Sequence, residues 1–252
     1  MYNPLSLEGK RIMVTGASSG IGRACAEMIS RLGGEVVLVA RDEQRLRQTL
    51  ESLDGSGHEV HRFDLSDSDA TPAWMKQVTL SGKVLSGMVH CAGIEITLPI
   101  KTMKFADYRR LMSINLDAAY ALSKGFRQRN VGSPASSIVF ISSVAAIKAM
   151  PGMIAYATSK AALYGLTRSL AVELVRDGIR VNCVTPGLVE TEMKIQMDRK
   201  RTPEQMQAVR ASHLLGLGTT MDVAHAVVFL LAETGRWITG SNLVVDGGYS
   251  IN

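Results

Sequence analysis

Tyr156 and Lys160 stand four residues apart in the run IAYATSKAALYGLTRSLAVEL, which otherwise consists mostly of small and apolar side chains. An i, i+4 spacing puts the phenol and the ammonium on one face of a helix. A phenol with its ordinary pKa near 10 gives up a proton reluctantly at neutral pH, and a cation beside it favours the phenolate, so the pair could move protons. A core tyrosine next to a snorkelling lysine would look the same in isolation. Context separates the two readings. Ser142 and Ser143 close the strand-like run SSIVFISS just before this helix, and Asn115 lies in the preceding helical stretch MSINLDAAY. Two hydroxyls, an amide, a phenol and an ammonium thus come from segments expected to meet beside one pocket.

A second motif says what else that pocket would hold. Thr15-Gly16-Ala17-Ser18-Ser19-Gly20-Ile21-Gly22 follows the first strand and opens the first helix. Glycines allow a sharp turn and close approach, and the free N–H groups at a helix start favour phosphate, so a dinucleotide pyrophosphate fits there. The spacing is G-x-x-x-G-x-G rather than the G-x-G-x-x-G fingerprint, so the turn alone is a weak signal. The second strand ends Val39-Ala40-Arg41, with no acid at those positions to bind both ribose hydroxyls. A guanidinium there can pair with the extra phosphate of NADP, so Arg41 points to NADP(H) over NAD(H). Asp42 reads as the N-cap of the following helix, DEQRLRQTL.

The elements that must position these residues alternate along the chain. Apolar, β-branched runs (RIMVTGA, EVVLVAR, HEVHRFDL, LSGMVHCAG, SSIVFISS, IRVNCVTPG) are separated by helical patterns, including one long stretch predicted from about Lys104 to Asn130. Strands apolar on both faces predict a parallel sheet covered by helices on each side, a doubly wound α/β fold. After Pro186-Gly187 comes a polar, Met-bearing segment, then a helix, MDVAHAVVFLLAE, and a last strand, SNLVVDGG. That segment, at about 188–218, lies just outside the carboxyl edge of the sheet, where a substrate lid would sit; a mobile surface loop is the alternative.

Composition bounds the rest. With 252 residues, 46% apolar and 20% charged, the chain can bury a sizeable core as one domain, and no linker or repeat divides it. The net charge of +5 suits anionic ligands, but basic residues are spread along the chain, Asp198-Arg199-Lys200-Arg201 being the one local cluster. A solvated basic face is expected rather than a nucleic-acid interface. The polar N-terminus lacks a signal-peptide pattern and no apolar run reaches membrane-spanning length, so a soluble, cytoplasmic protein is expected. Cys25, Cys91 and Cys183 are too scattered for a disulfide framework, and the five histidines show no metal-ligand spacing, so no metal is expected.

Taken together, these motifs resemble the short-chain dehydrogenase/reductase family, over nearly the whole chain. The family's T-G-x-x-x-G-x-G is Thr15 to Gly22 and its Y-x-x-x-K is Tyr156 to Lys160. Its catalytic serine precedes the tyrosine by thirteen positions, which selects Ser143, and Asn115 in the N-L dipeptide is the fourth catalytic member. ITGSNLVVDGG resembles the family's C-terminal signature. The resemblance implies a Rossmann-like sheet of seven strands. It also implies cofactor contacts from Gly16, Ser18, Ser19, Gly20, Ile21 and Gly22, from Arg41, and from Asp64 and Leu65 at the adenine. Further contacts would come from Cys91, Ala92 and Gly93, and from Pro186, Gly187, Val189 and Thr191 near the nicotinamide, with Tyr156 and Lys160 at its ribose.

By the same resemblance Tyr156 is general acid in carbonyl reduction and general base in alcohol oxidation. Ser143 binds the substrate oxygen, Lys160 holds the ribose, and Asn115 places a water that links Lys160 to solvent. Making the phenol a neutral-pH acid takes about 4 kcal/mol, which one charge at about 4 Å supplies at an effective dielectric of about 20. The chain departs from the family at His90-Cys91-Ala92-Gly93, where N-N-A-G is usual, which puts local backbone support in question; packing roles are expected for His90 and Cys91. Length and the PGLVETEM stretch look most like 3-oxoacyl-acyl-carrier-protein reductases, although Leu215-Gly216-Leu217-Gly218 stands where these often carry Arg-Leu-Gly. The implied substrate is a 3-oxoacyl thioester reduced with NADPH, with a sugar, polyol or other secondary alcohol as the alternative. A non-catalytic dinucleotide sensor is the reading from another class. Lys124, Arg127, Arg129 and Arg168 could attract an acidic acyl carrier protein, and family members commonly form homotetramers or homodimers.

Overall fold

The computed structural model describes residues 2–80, 83–192, 194–195 and 202–252. The basic cluster Asp198 to Arg201 and part of the expected lid lie outside the described residues. Seven strands form one sheet in the order β3-β2-β1-β4-β5-β6-β7. They are β1 (Arg11–Thr15), β2 (Glu35–Ala40), β3 (Glu59–Arg62), β4 (Leu85–His90), β5 (Gly132–Ile141), β6 (Arg180–Pro186) and β7 (Asn242–Val245), and every neighbouring pair is parallel. The order reverses between β1 and β4, and a crevice opens there at the carboxyl ends of the strands.

Residue alternation explains why both faces must be covered. In β1 Ile12 and Val14 join one core while Met13 joins the other, and in β2 Val36 and Leu38 oppose Val37 and Val39. In β5 Val139 and Ile141 face the first core, Ile138 and Phe140 the second. A strand buried on both sides has no solvent face, hence the continuous apolar runs. The first core is closed by α1 (Gly20–Arg31) and α8 (Thr220–Leu231), which supply Cys25, Ile29, Val227 and Leu230. The second is closed by α3 (Thr71–Val78), α5 (Ala118–Phe126) and α6 (Ile154–Leu174), with Met75, Leu122 and Leu163.

Two other helices flank the crevice. Asp42 caps α2 (Glu43–Glu51) by accepting from the Arg45 N–H at 3.0 Å, as its sequence context predicts. Within the segment after β6, α7 (Pro203–Ala211) starts at a capping box of Thr202 and Gln205. The long helix expected from Lys104 to Asn130 is instead three segments: α4 (Phe105–Met112), a π-helical turn over Ser113–Asp117, and α5, which ends at Phe126. The extra residue of the π turn falls where Asn115 points inward, and such turns commonly mark functional positions. No helix among the described residues is long and apolar enough to cross a membrane.

Candidate active site

A cavity of about 550 Å³ runs along the carboxyl ends of β1, β2, β4, β5 and β6, within the size range of small-molecule sites. At its centre is the turn between β1 and α1. Gly16 has φ +67°, and a Cβ there would sit 2.8 Å from the Ala92 backbone nitrogen. At Gly22 a Cβ would come within 2.2 Å of the Gly16 carbonyl oxygen, so neither position admits a side chain. The helix that follows is left open: Ser19 makes no side-chain cap and no acid occupies the first turn. Its free N–H groups and dipole therefore face the cavity without an internal anion. Arg41 and Arg45 line the end beside β2, with Asp64 and Leu65 across from them. Ser66 N–H donates to the Asp64 carboxylate, which with the nearby Arg41 charge holds that acid below its ordinary range against the opposing effect of burial. An open helix terminus between guanidiniums and a strand-end pocket fits a dinucleotide.

The cavity's other end carries the residues expected to do acid–base chemistry. Tyr156, Ser159, Lys160, Leu163 and Thr167 form the buried stripe of α6. Lys160 is 4% exposed and does not snorkel: its Nζ donates to the Ile141 carbonyl at 2.9 Å, at the end of β5. Ser143 follows β5 in extended conformation, accepts from Ala145 N–H at 3.2 Å, and lies close enough to Tyr156 to lower its pKa slightly. Ser142 faces away, donating to the Lys160 carbonyl at 2.8 Å, so the structure also separates the two serines. Asn115 lies behind the wall, fully buried. Its amide accepts from Ile94 N–H at 2.8 Å and donates to the Ile94 carbonyl and to Ser159 Oγ, at 2.9 and 3.0 Å. Those contacts occupy the side chain in holding the loop after β4 to α6, rather than in reaching the cavity.

Electrostatics differ from the expectation at one point. The Lys160 Nζ stands over the Tyr156 ring, 5.8 Å from its centroid. Burial, together with the charge of Glu95, pushes the phenol up to about 12, against a smaller lowering from Ser143. Burial likewise pushes Lys160 down to about 8. Removal from water penalises the charged form of each group, so the chain on its own holds the phenol protonated and brings the amine toward neutrality. The charge that the simple pair argument assigns to Lys160 is itself disfavoured by the site.

All the residues expected to touch a cofactor, from Gly16 to Gly22, Arg41, Asp64 and Leu65, through Cys91 to Gly93, to Pro186, Gly187, Val189 and Thr191, line this one cavity. The His90-Cys91 departure is also accommodated. The Thr15 hydroxyl accepts from Ala92 N–H at 3.3 Å and shares a hydrogen bond with His90 Nδ1 at 2.8 Å, so a threonine and an imidazole tie β1 to the loop after β4. Burial pushes His90 down to about 3, and its Nε2 has no hydrogen-bond partner among the described residues. Cys91 lies on the cavity wall beside Cys25, and contact with Cys91, then burial, raises the Cys25 thiol well above its ordinary value. That thiol stays protonated and unreactive.

Several lining residues had no sequence signal attached to them. Arg45 pairs with Glu192 across the cavity mouth, joining α2 to the segment after β6. Glu95, Met150, Met153, His213 and Tyr249 line the end that holds Ser143 and Tyr156. They come from loops and the C-terminus, where no periodicity reveals which way a side chain faces. The segment after β6 begins and ends at a parallel bridge between Val189 and Gly218, with Glu190 N–H donating to the Gly218 carbonyl at 3.0 Å and Gly218 N–H to Leu188 at 3.2 Å.

Comparisons with known proteins agree with this geometry. The sequence family described as enoyl-(acyl carrier protein) reductase matches residues 16–250. A 3-oxoacyl-[acyl-carrier-protein] reductase of Rickettsia conorii is 33% identical over 97% of this chain and 98% of its own. A chloroplastic tropinone reductase homologue of Arabidopsis thaliana is 36% identical over 98% of this chain and 77% of its own. A crystal structure named for an NAD(P)-dependent gluconate 5-dehydrogenase of Beutenbergia cavernae, with NADP bound, superposes with a TM-score of 0.89 at 29% identity, covering 99% of this chain and 100% of that one. With fold, motifs and relatives in accord, the chain belongs to the short-chain dehydrogenases/reductases, oxidoreductases that act on alcohol and ketone groups with a nicotinamide cofactor.

Proposed function

We propose that the chain is an NADP(H)-dependent reductase converting a ketone to a secondary alcohol, with Tyr156 as general acid. The observation that carries this reading is a single cavity holding Ser143, Tyr156 and Lys160 at one end and an open helix terminus with Arg41 and Arg45 at the other. The bound cofactor supplies the hydride. Ser143, on the same cavity wall as the phenol, shares the substrate oxygen with Tyr156 and stabilises its growing charge. The phenol rests protonated, the form a general acid must start from, while its raised pKa makes it a weaker donor until that pKa is lowered. Lys160 is positioned behind the tyrosine for the cofactor's ribose, and Asn115 acts on the loop that carries Gly93 and Ile94. An intact acid–base set disfavours the non-catalytic sensor.

Among substrates, a 3-oxoacyl thioester is favoured by the likeness to the Rickettsia reductase and by the apolar side chains of Val144, Met150, Met153 and Leu188 at the cavity's catalytic end. A sugar or polyol, which the Beutenbergia structure's name suggests, would set hydroxyl groups against those walls. An acyl carrier protein could approach over Lys124, Arg129 and Arg168; Arg127 is already paired with Asp177 at 3.1 Å. Exposed Phe105, Tyr120, Val172 and Val175 on the outer faces of α4 to α6 and just beyond suit a homotetramer or homodimer, and a cytoplasmic location goes with this reading. The test is NADPH oxidation with acetoacetyl thioesters against ketoses and simple ketones. No turnover with any 3-oxoacyl thioester removes that substrate class. Tyr156→Phe should lower turnover by about 10²- to 10⁴-fold while NADPH still binds, and undiminished turnover would overturn the assigned role. Arg41→Ala should weaken NADPH about tenfold with little effect on NADH, whereas an equal loss for both removes the phosphate argument.

A further inference from the structure

Glu95 is a carboxylate on the wall of the same cavity end as Ser143 and Tyr156, two residues beyond Gly93 on the loop after β4. It is partly buried, and its Oε1 accepts from the Thr97 hydroxyl at 2.7 Å. That bond orients the carboxylate without neutralising it, and Thr97 is its one hydrogen-bond partner among the described residues. Among the described residues no cation is within ion-pairing distance of it in the contacts that define this end of the cavity. Val144, Met150, Met153 and Leu188 are apolar. Both ring nitrogens of His213 are engaged by backbone, Nδ1 with the Val209 carbonyl at 2.8 Å and Nε2 with Leu188 N–H at 3.3 Å. The Lys160 ammonium keeps its charge but is directed to the Ile141 carbonyl and makes no ion pair with Glu95. The charge is nevertheless felt at the reacting centre, since Glu95 is the group that adds to burial in raising the Tyr156 phenol.

A fixed anion here opposes carbonyl reduction, because negative charge grows on the substrate oxygen beside Tyr156. The opposition disappears when a cation sits between carboxylate and reacting carbon. We propose that Glu95 determines specificity by pairing with a protonated amine on the substrate, so that the site selects amino ketones over neutral or anionic ketones of the same shape. A substrate hydroxyl could also donate to Glu95, but being neutral it leaves the carboxylate's charge opposing the reaction. This inference rests on the ketone-reductase chemistry proposed above and not on the thioester; it narrows the substrate away from a simple 3-oxoacyl chain.

N-methyl-4-piperidone and 4-methylcyclohexanone differ chiefly in the protonated nitrogen and serve as the matched pair, assayed near neutral pH with saturating NADPH. The native protein should prefer the amine by about 10- to 100-fold in kcat/KM, the effect of one charge-assisted pair, and in Glu95→Gln the ratio should fall to within a few-fold of unity. Glu95→Asp should retain part of the preference, which loss of local structure would not. In parallel, the two corresponding alcohols are titrated onto the protein with NADP bound. Tighter binding of the amino alcohol, lost in Glu95→Gln, supports the carboxylate's role even if no ketone is turned over, a result that would instead defeat the reductase reading. Turnover without preference for the amine, a ratio unmoved in Glu95→Gln, or equal binding of both alcohols overturns the proposal.

Discussion

Lys160 carries a cost that can be measured. Its amine is pushed from 10.5 to about 8 by burial, and at neutral pH the folded chain nevertheless holds it largely as the ammonium. The displacement corresponds to about 3 kcal/mol against folding, because one pKa unit is about 1.4 kcal/mol. The unfolded chain binds this proton up to pH 10.5 and the folded chain only up to about 8. Between those values the unfolded state holds more protons, so stability rises with pH; below pH 8 the full penalty applies, and above 10.5 it is gone. Lys160→Met removes the charge at similar length but leaves the Ile141 carbonyl without its 2.9 Å donor, a loss of about 1–3 kcal/mol that does not depend on pH. The variant should therefore equal or exceed the native protein by up to about 2 kcal/mol at pH 7 and fall below it at pH 10.5. Its advantage should decline by about 3 kcal/mol across that interval. Urea denaturation of both proteins without cofactor at half-unit pH steps gives the difference directly. Tyr156, held near 12, titrates alike in both and cancels. A variant-minus-native difference that stays constant from pH 7 to 10.5 would refute the claim that the lysine is buried at a cost.

Two further outcomes follow from geometry already described. Gly22→Ala forces a Cβ to within 2.2 Å of the Gly16 carbonyl, so the turn must open; NADPH binding followed by fluorescence should weaken at least tenfold, and native affinity would show the turn to be more plastic than its packing implies. His90 resists protonation down to about 3 when folded, whereas the unfolded imidazole protonates near 6.5. Stability should thus fall by about 5 kcal/mol as pH drops through that window, and His90→Asn should flatten this loss in acid denaturation; an identical acid profile would count against a buried neutral imidazole.

What could be seen in the sequence divides along physical lines. A parallel sheet covered on both faces was legible because Met13, Val37, Val39 and Phe140 alternate with residues of the opposite core, and a strand apolar on both faces admits few architectures. The residues around the cofactor cleft were legible because backbone approach there demands particular types, as the 2.8 Å and 2.2 Å limits at Gly16 and Gly22 show. The interruption at Ser113–Asp117 was not, since its residues suit an α-helix equally and the bulge reflects the inward demand of Asn115 on Ile94. Neither was the Tyr156–Lys160 electrostatics: spacing places two groups on one face but says nothing about how much water each retains. Glu95, Met150, His213 and Tyr249 come to the cavity on irregular chain, where register carries no information about direction.

The clasp between Val189 and Gly218 gives the segment after β6 a particular freedom. Its two ends are joined by backbone hydrogen bonds, which any residues can make, so the joint to the sheet does not depend on which side chains stand at the two ends. Lengthening such a closed loop even twofold costs only about 0.6 kcal/mol in closure entropy. Selection can therefore rewrite that stretch, or exchange it wholesale between relatives, while Pro186, Gly187 and the acid–base residues keep their places, so new substrates can be acquired by grafting at a single joint.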